Sequence, residues 1–153
     1  MGNSSKEISL KEKLPLLKAQ FLRKGYPLNS LEENLLLHFT YQNHSFLISL
    51  PLIIKEDLQT LLVVDLKFNP SLISLERGIL ALARLLFKPW PYFALLTNFV
   101  NYHLIEVSSG QCLRGSEEVI PNYSEIKKCS FLSLKSFPKE LEERILAIYL
   151  SEG

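Results

Sequence analysis

The run Leu61-Leu62-Val63-Val64-Asp65-Leu66-Lys67 constrains this chain more than any other. Its aliphatics commit the backbone to a sheet, and the strand then ends on an acid and a base two residues apart. Residues i and i+2 of a strand face the same way, so Asp65 and Lys67 can act together on one bound group. The ordinary alternative is a solvated pair at a frayed strand end.

The flanking segments extend this strand into a fold. Phe46 to Ile54 reads as a preceding strand, broken or bulged near Pro51, and Lys55-Glu56-Asp57-Leu58-Gln59 supplies a polar hairpin connection between the two. Leu35, Leu37 and Phe39 alternate in an earlier strand that ends at the turn Gln42-Asn43-His44, giving a three-stranded antiparallel meander. Upstream, residues 1–10 are polar and expected to be loose. Leu14, Leu16, Leu17, Phe21 and Leu22 then recur at helical spacing up to Gly25, with Pro15 placed near the first turn, where proline is accepted.

Downstream, Ser74 is the expected cap of a helix with Glu76 in its first turn and Ile79, Leu82 and Leu86 on its buried face. Lys88-Pro89-Trp90-Pro91 ends it. Tyr92 to Thr97 and Tyr102 to Val107 read as two more strands, with a turn at Ser108-Ser109-Gly110 and a closing helix within residues 138–152. The whole is one α/β (α+β) domain over residues 1–153, a mixed central sheet flanked by helices in the order α-β-β-β-α-β-β with a C-terminal helix.

With 47% hydrophobic and 22% charged residues the chain can bury a core of its own. Its apolar runs fall short of the ~20 residues that cross a bilayer, so no membrane association is expected. The N-terminus lacks the apolar segment of a secretory signal, which makes the cytoplasm the expected location. Cys112 and Cys129 show no Cys-x-x-Cys spacing, and His38, His44 and His103 are scattered, so no zinc motif is read and no cofactor site is assigned to them. A net charge of +1 exerts no global pull on nucleic acid.

The segments Val63-Val64-Asp65-Leu66-Lys67, Ala81-Leu82-Ala83-Arg84-Leu85-Leu86, Pro91 through Thr97-Asn98, His103-Leu104-Ile105-Glu106-Val107 with Gly110, and Ile120-Pro121 carry a resemblance. In order and spacing they are similar to the PD-(D/E)xK restriction-endonuclease-like superfamily. More specifically, they resemble the N-terminal domain of type I restriction enzyme restriction subunits and related stand-alone proteins. The first 60 residues match only loosely.

The resemblance implies a Mg²⁺-dependent phosphodiesterase site. In it Asp65 would hold metal and serve catalysis together with Lys67, which would position or polarise the attacking water. The family's second-strand Asp belongs within Phe46-Leu47-Ile48-Ser49-Leu50-Pro51, where Ser49 stands in the place of the missing acid. Glu33, ahead of its neighbour Glu32, is the candidate further metal ligand, although consecutive acids at an element boundary are ordinarily solvated. Asp57 reads as a hairpin-tip residue. The helix after the Lys also lacks the Gln that family members often carry.

Arg77, Arg84 and Lys88 fall on one side of that helix and form a candidate phosphate-binding stripe, against the plainer reading of a solvated face. Trp90, Tyr92 and Phe93 could stack on bases, against the plainer reading of core.

Three functional readings follow. The first is a nuclease-like domain with an incomplete metal site, weakly active or inactive and associated with nucleic acid, DNA ahead of RNA, or with a protein partner. The second is an active Mg²⁺-dependent nuclease. The third is a protein interaction or assembly module in which Asp65 and Lys67 form a structural ion pair. There is no phosphate-binding Gly-x-x-x-x-Gly-Lys-Ser/Thr loop, so any motor must be another chain. The sequence leaves the oligomeric state open.

Overall fold

The computed structural model describes residues 2–129 and 137–152. Its core is a mixed six-stranded sheet in the order β1-β2-β3-β4-β5-β6, formed by Leu31–Tyr41, His44–Glu56, Gln59–Leu66, Phe93–Thr97, Tyr102–Glu106 and Cys112–Gly115. The first three strands are the antiparallel meander read from the sequence. The helix α2 (Glu76–Leu86) then carries the chain over to β4, which lies parallel to β3, and β4, β5 and β6 continue antiparallel. The α+β class with helices flanking a mixed sheet is as expected. The edge strand β6 and the short helix α3 (Tyr123–Ile126) are additions to the expected order.

Two cores result. On one face α1 (Gly2–Arg23) inserts Leu17 and Phe21, both fully buried and one turn apart, against Leu52, Ile54, Leu62, Val64 and Leu95. On the other, α2 and the C-terminal helix α4 (Lys139–Glu152) pack Ile79, Leu82, Leu146 and Tyr149 against Ile53, Val63, Ala94 and Leu96. Each fully buried aliphatic side chain contributes about 1.5–3 kcal/mol, which is what holds the three layers together.

Several local expectations need correction. The segment 1–10 is not a loop from Gly2 onward, because α1 begins there and Pro15 falls in the helix interior. The cost of its missing N–H is offset by the buried residues one half-turn and more beyond it. Leu16 and Leu22, by contrast, point outward. Ser74 does not cap α2. It lies in a 3₁₀ turn, Ile73–Leu75, which runs straight into the helix.

Pro51 does not interrupt β2. The irregularity between β2 and β3 lies at the hairpin end, where Leu61 is an extra residue between the pairs Lys55↔Thr60 and Ile54↔Leu62. What happens at Pro51 is a change of face. Leu52 and Ile54 belong to the α1 core, whereas Ile48 and Leu50 belong to the α2/α4 core, although strand alternation would put Leu50 and Leu52 on one side.

The partner strand switches with it. Asn34, opposite Pro51, adopts φ 54°, and beyond it Leu35, Leu37 and Phe39 join the α2/α4 core while Leu31 packs on the α1 side. Because both strands turn together the register is kept, with Glu33↔Leu52 before the switch and Leu35↔Leu50 after it. Pairing between β2 and β3 stops at Leu52↔Val64, so the remaining part of β1 and β2 is a two-stranded ribbon.

Candidate functional site

At the end of β3, Asp65 sits opposite Leu96 of β4 and on the same side as Val63, facing α4. It is 9% exposed. Its Oδ2 accepts a 2.6 Å hydrogen bond from the Tyr149 hydroxyl, and the Lys67 ammonium lies 3.9 Å from the same oxygen. Lys67 is fixed by its backbone N–H, which donates to the Thr97 carbonyl at 3.1 Å. Its Nζ stands 4.8 Å from the centre of the Tyr149 ring, within cation–π range.

Burial pushes the Asp65 carboxyl above the usual carboxylate range, and the Lys67 charge, the Tyr149 hydroxyl and the Leu66 backbone N–H only partly oppose it. Burial, followed by the adjacent Asp65 carboxylate, holds the Tyr149 phenol well above its ordinary value. Acid and base are thus brought together as the strand spacing implies, but beneath a tyrosine.

The other candidate ligands are elsewhere. Glu33 pairs with Leu52, which pairs with Val64, and all three face the α1 side; there Glu33 meets Lys18 of α1 at 3.4 Å. The thickness of the sheet separates it from Asp65. Glu32, opposite Ile53, is on the side of Asp65 but two strands away, and is exposed. Ser49 alternates with the buried Ile48 and Leu50 and therefore points to the outer side of the ribbon, exposed. Asp57 occupies the hairpin tip with φ 54°, at the far end of β3. Mg²⁺ requires several oxygens in near-octahedral array, and a lone buried carboxylate already holding a phenol does not provide them.

The basic stripe is likewise engaged. Arg77 donates to Glu142 Oε1 of α4 at 2.9 Å; Arg84 approaches the same oxygen at 3.4 Å and donates twice to the Val107 carbonyl, at 2.8 and 3.0 Å. Glu142 is 1% exposed. Two of the three cations therefore clamp α4 to α2, and only Lys88 lies exposed without a bond among the described residues. Trp90 is core: its ring packs on the Arg84 guanidinium, and its N–H donates to the Arg84 carbonyl. Phe93 packs on the α1 side. A hollow of about 380 Å³ lies between the β2–β3 hairpin and Lys127, lined also by Pro89 and Tyr92; Asp65 does not line it.

A second polar cluster escaped the sequence reading. His103 Nδ1 lies 2.5 Å from Glu76 Oε2, Cys112 Sγ lies 3.3 Å from it, and Arg114 engages both Glu76 oxygens at 2.8 Å. Burial alone would raise the Glu76 carboxyl, but Arg114, Cys112 and His103 outweigh it and hold it below the usual range. Burial and the neighbouring Glu76 push the Cys112 thiol up to about 12. The register His103↔Arg114 and Ile105↔Cys112 puts these side chains on one face of β5 and β6, over the start of α2. The only sequence signal was the i, i+2 spacing of Cys112 and Arg114, in a segment not read as a strand.

Comparison with protein-family models, with curated proteins and with solved structures finds no match. No helix among the described residues is long and apolar enough to cross a membrane.

Proposed function

We propose that this chain is a restriction-endonuclease-like domain with an incomplete metal site that works by binding a partner rather than by cutting a phosphodiester. The observation that carries this reading is the closure of Asp65 beneath Tyr149, with Glu33 and Ser49 turned to other surfaces. An active Mg²⁺ site would need at least one more carboxylate beside Asp65, and among the described residues no group of three potential ligands includes it.

A protein partner is the better-supported kind. The near-neutral charge gives little of the counterion-release term on which nucleic-acid affinity depends, and Arg77 and Arg84 are committed to Glu142. The outer side of the β1–β2 ribbon instead exposes Leu36 (63%) and Leu47 (65%) beside the sheet's edge strand. Exposed aliphatics on an edge ribbon suit addition of a partner's strand or apolar surface.

The test is Mg²⁺- and Mn²⁺-dependent cleavage of single- and double-stranded DNA and RNA, with Asp65→Ala and Lys67→Ala alongside, together with binding of the same oligonucleotides across a salt series. Absence of both cleavage and saturable, salt-dependent binding supports the proposal. Cleavage lost in both variants overturns it in favour of an active nuclease. Tight salt-dependent binding without cleavage moves the partner from protein to nucleic acid.

A further inference from the structure

The cluster at the start of α2 has the composition of a metal site and shares no residue with the Asp65 region. A carboxylate oxygen, an imidazole nitrogen and a thiol sulfur, from Glu76, His103 and Cys112, all lie within 4.8 Å of one another. They come from three elements, α2, β5 and β6, whose mutual positions are fixed by the sheet register and by the fully buried Ile79 and Leu82 of α2. Tetrahedral Zn²⁺ with these donors places them about 3.4–3.6 Å apart, from its usual bond lengths. The observed His103–Glu76 and Cys112–Glu76 separations of 2.5 and 3.3 Å are shorter than that requirement, so the donors need to open by only about an ångström or less to receive the ion.

We propose that Glu76, His103 and Cys112 form a three-ligand site for a borderline-soft divalent cation of the Zn²⁺ class, with Arg114 as the competing resident cation. Mixed N, S and O donors select such an ion over Mg²⁺ or Ca²⁺, which take oxygen alone. Arg114 holds both Glu76 oxygens, so metal entry requires its guanidinium to leave. Half of its side chain is exposed and β6 is an edge strand, so the guanidinium can swing into water. On binding, the Cys112 thiol proton and any proton on His103 Nδ1 pass to solvent, and the sulfur coordinates as thiolate. Three protein ligands leave a fourth position to water, and the ion would tie the start of α2 to the β5–β6 edge.

The experiment uses the full chain, reduced and stripped with a chelator, titrated with Co²⁺ alone and then with Zn²⁺. The expected result is a thiolate-to-cobalt charge-transfer band that saturates at about one equivalent and is displaced by Zn²⁺. The band should survive Cys129→Ser and vanish in Cys112→Ser. Arg114→Met should tighten binding by about tenfold or more, because a bidentate charge-assisted pair no longer competes for Glu76. In the unmodified chain Zn²⁺ should protect Cys112, but not Cys129, from alkylation, a readout that does not depend on a variant folding. The absence of a saturable band at millimolar Co²⁺, its persistence in Cys112→Ser, unaltered or weaker affinity in Arg114→Met, or equal alkylation of both cysteines with Zn²⁺ present would each overturn the proposal.

Discussion

Tyr149 reaches Asp65 because Gly78 lets it through. A Cβ built on Gly78 would stand 2.1 Å from Tyr149 Cδ1 and 2.5 Å from its Cβ, so α4 lies on α2 at a distance that only a glycine permits. The contact fixes the depth at which the phenol enters and places its hydroxyl 2.6 Å from Asp65 Oδ2. The state of the site is therefore set by a helix–helix approach remote in sequence from β3.

Gly78→Ala should destabilise the fold by about 1–3 kcal/mol, as overpacking of a tight contact does, although alanine is the better helix former. Tyr149→Ala alone also loses packing. In the double variant the added methyl meets the space the ring has vacated, so the two costs should fall short of their sum by more than about 0.5 kcal/mol. Urea denaturation of the four proteins measures this, and simple additivity would show that Gly78 and Tyr149 are not in contact.

Asp65 gives a pH dependence of definite sign. Its folded-state pKa lies above that of the unfolded chain, chiefly from burial. At pH values below both, the group is neutral in both states and makes no difference. As pH rises past the unfolded value, the native state retains a proton that the unfolded chain has released, and stability falls until the folded value is passed. Asp65→Asn, fixed neutral, should become progressively more stable relative to the parent as pH rises above the ordinary carboxylate range. A gap in melting temperature that stays constant with pH would contradict the assignment.

Glu142 should separate a buried ion pair from a surface one. Glu142→Ala leaves Arg84, whose side chain is 12% exposed, without its counter-charge and should cost about 3–5 kcal/mol. Arg77→Ala removes a partner that is half-exposed and should cost less than about 1 kcal/mol. Chemical denaturation of both variants distinguishes these outcomes, and equal costs would mean that Arg84 does not depend on Glu142.

The face switch makes its own prediction at Asn34. A β-branched residue tolerates its φ of 54° poorly, so Asn34→Val should lose about 1–2 kcal/mol, whereas Asn34→Gly should be close to neutral. Thermal melts suffice to compare them. Tolerance of valine would mean that β1 reaches the second core without a left-handed residue.

Much of the architecture was written locally. The hairpin chemistry of residues 55–59, the alternation of Leu35, Leu37 and Phe39, and the apolar run into Asp65 specify three strands through propensity and turn geometry, which act over a few residues. The Asp65–Lys67 proximity was legible for the same reason, since strand periodicity alone places both on one side. Strand β6 was missed because Cys112 to Gly115 has little β-propensity of its own and pairs with β5 only once Tyr102–Glu106 is in place.

Short-range backbone geometry makes strands β1 to β5, the helices α1, α2 and α4, and the juxtaposition of Asp65 with Lys67 legible in the sequence. The sheet face that each strand presents, and the helix that covers it, depend on long-range packing. The switch at Asn34 and Pro51 sends Ser49 outward, Glu33 remains under α1, and Tyr149 arrives from 84 residues away to close over Asp65. An apolar stripe requires burial without naming its partner. The partner is selected by shape, here the gap over Gly78, and by the charge of the buried Glu142 between Arg77 and Arg84.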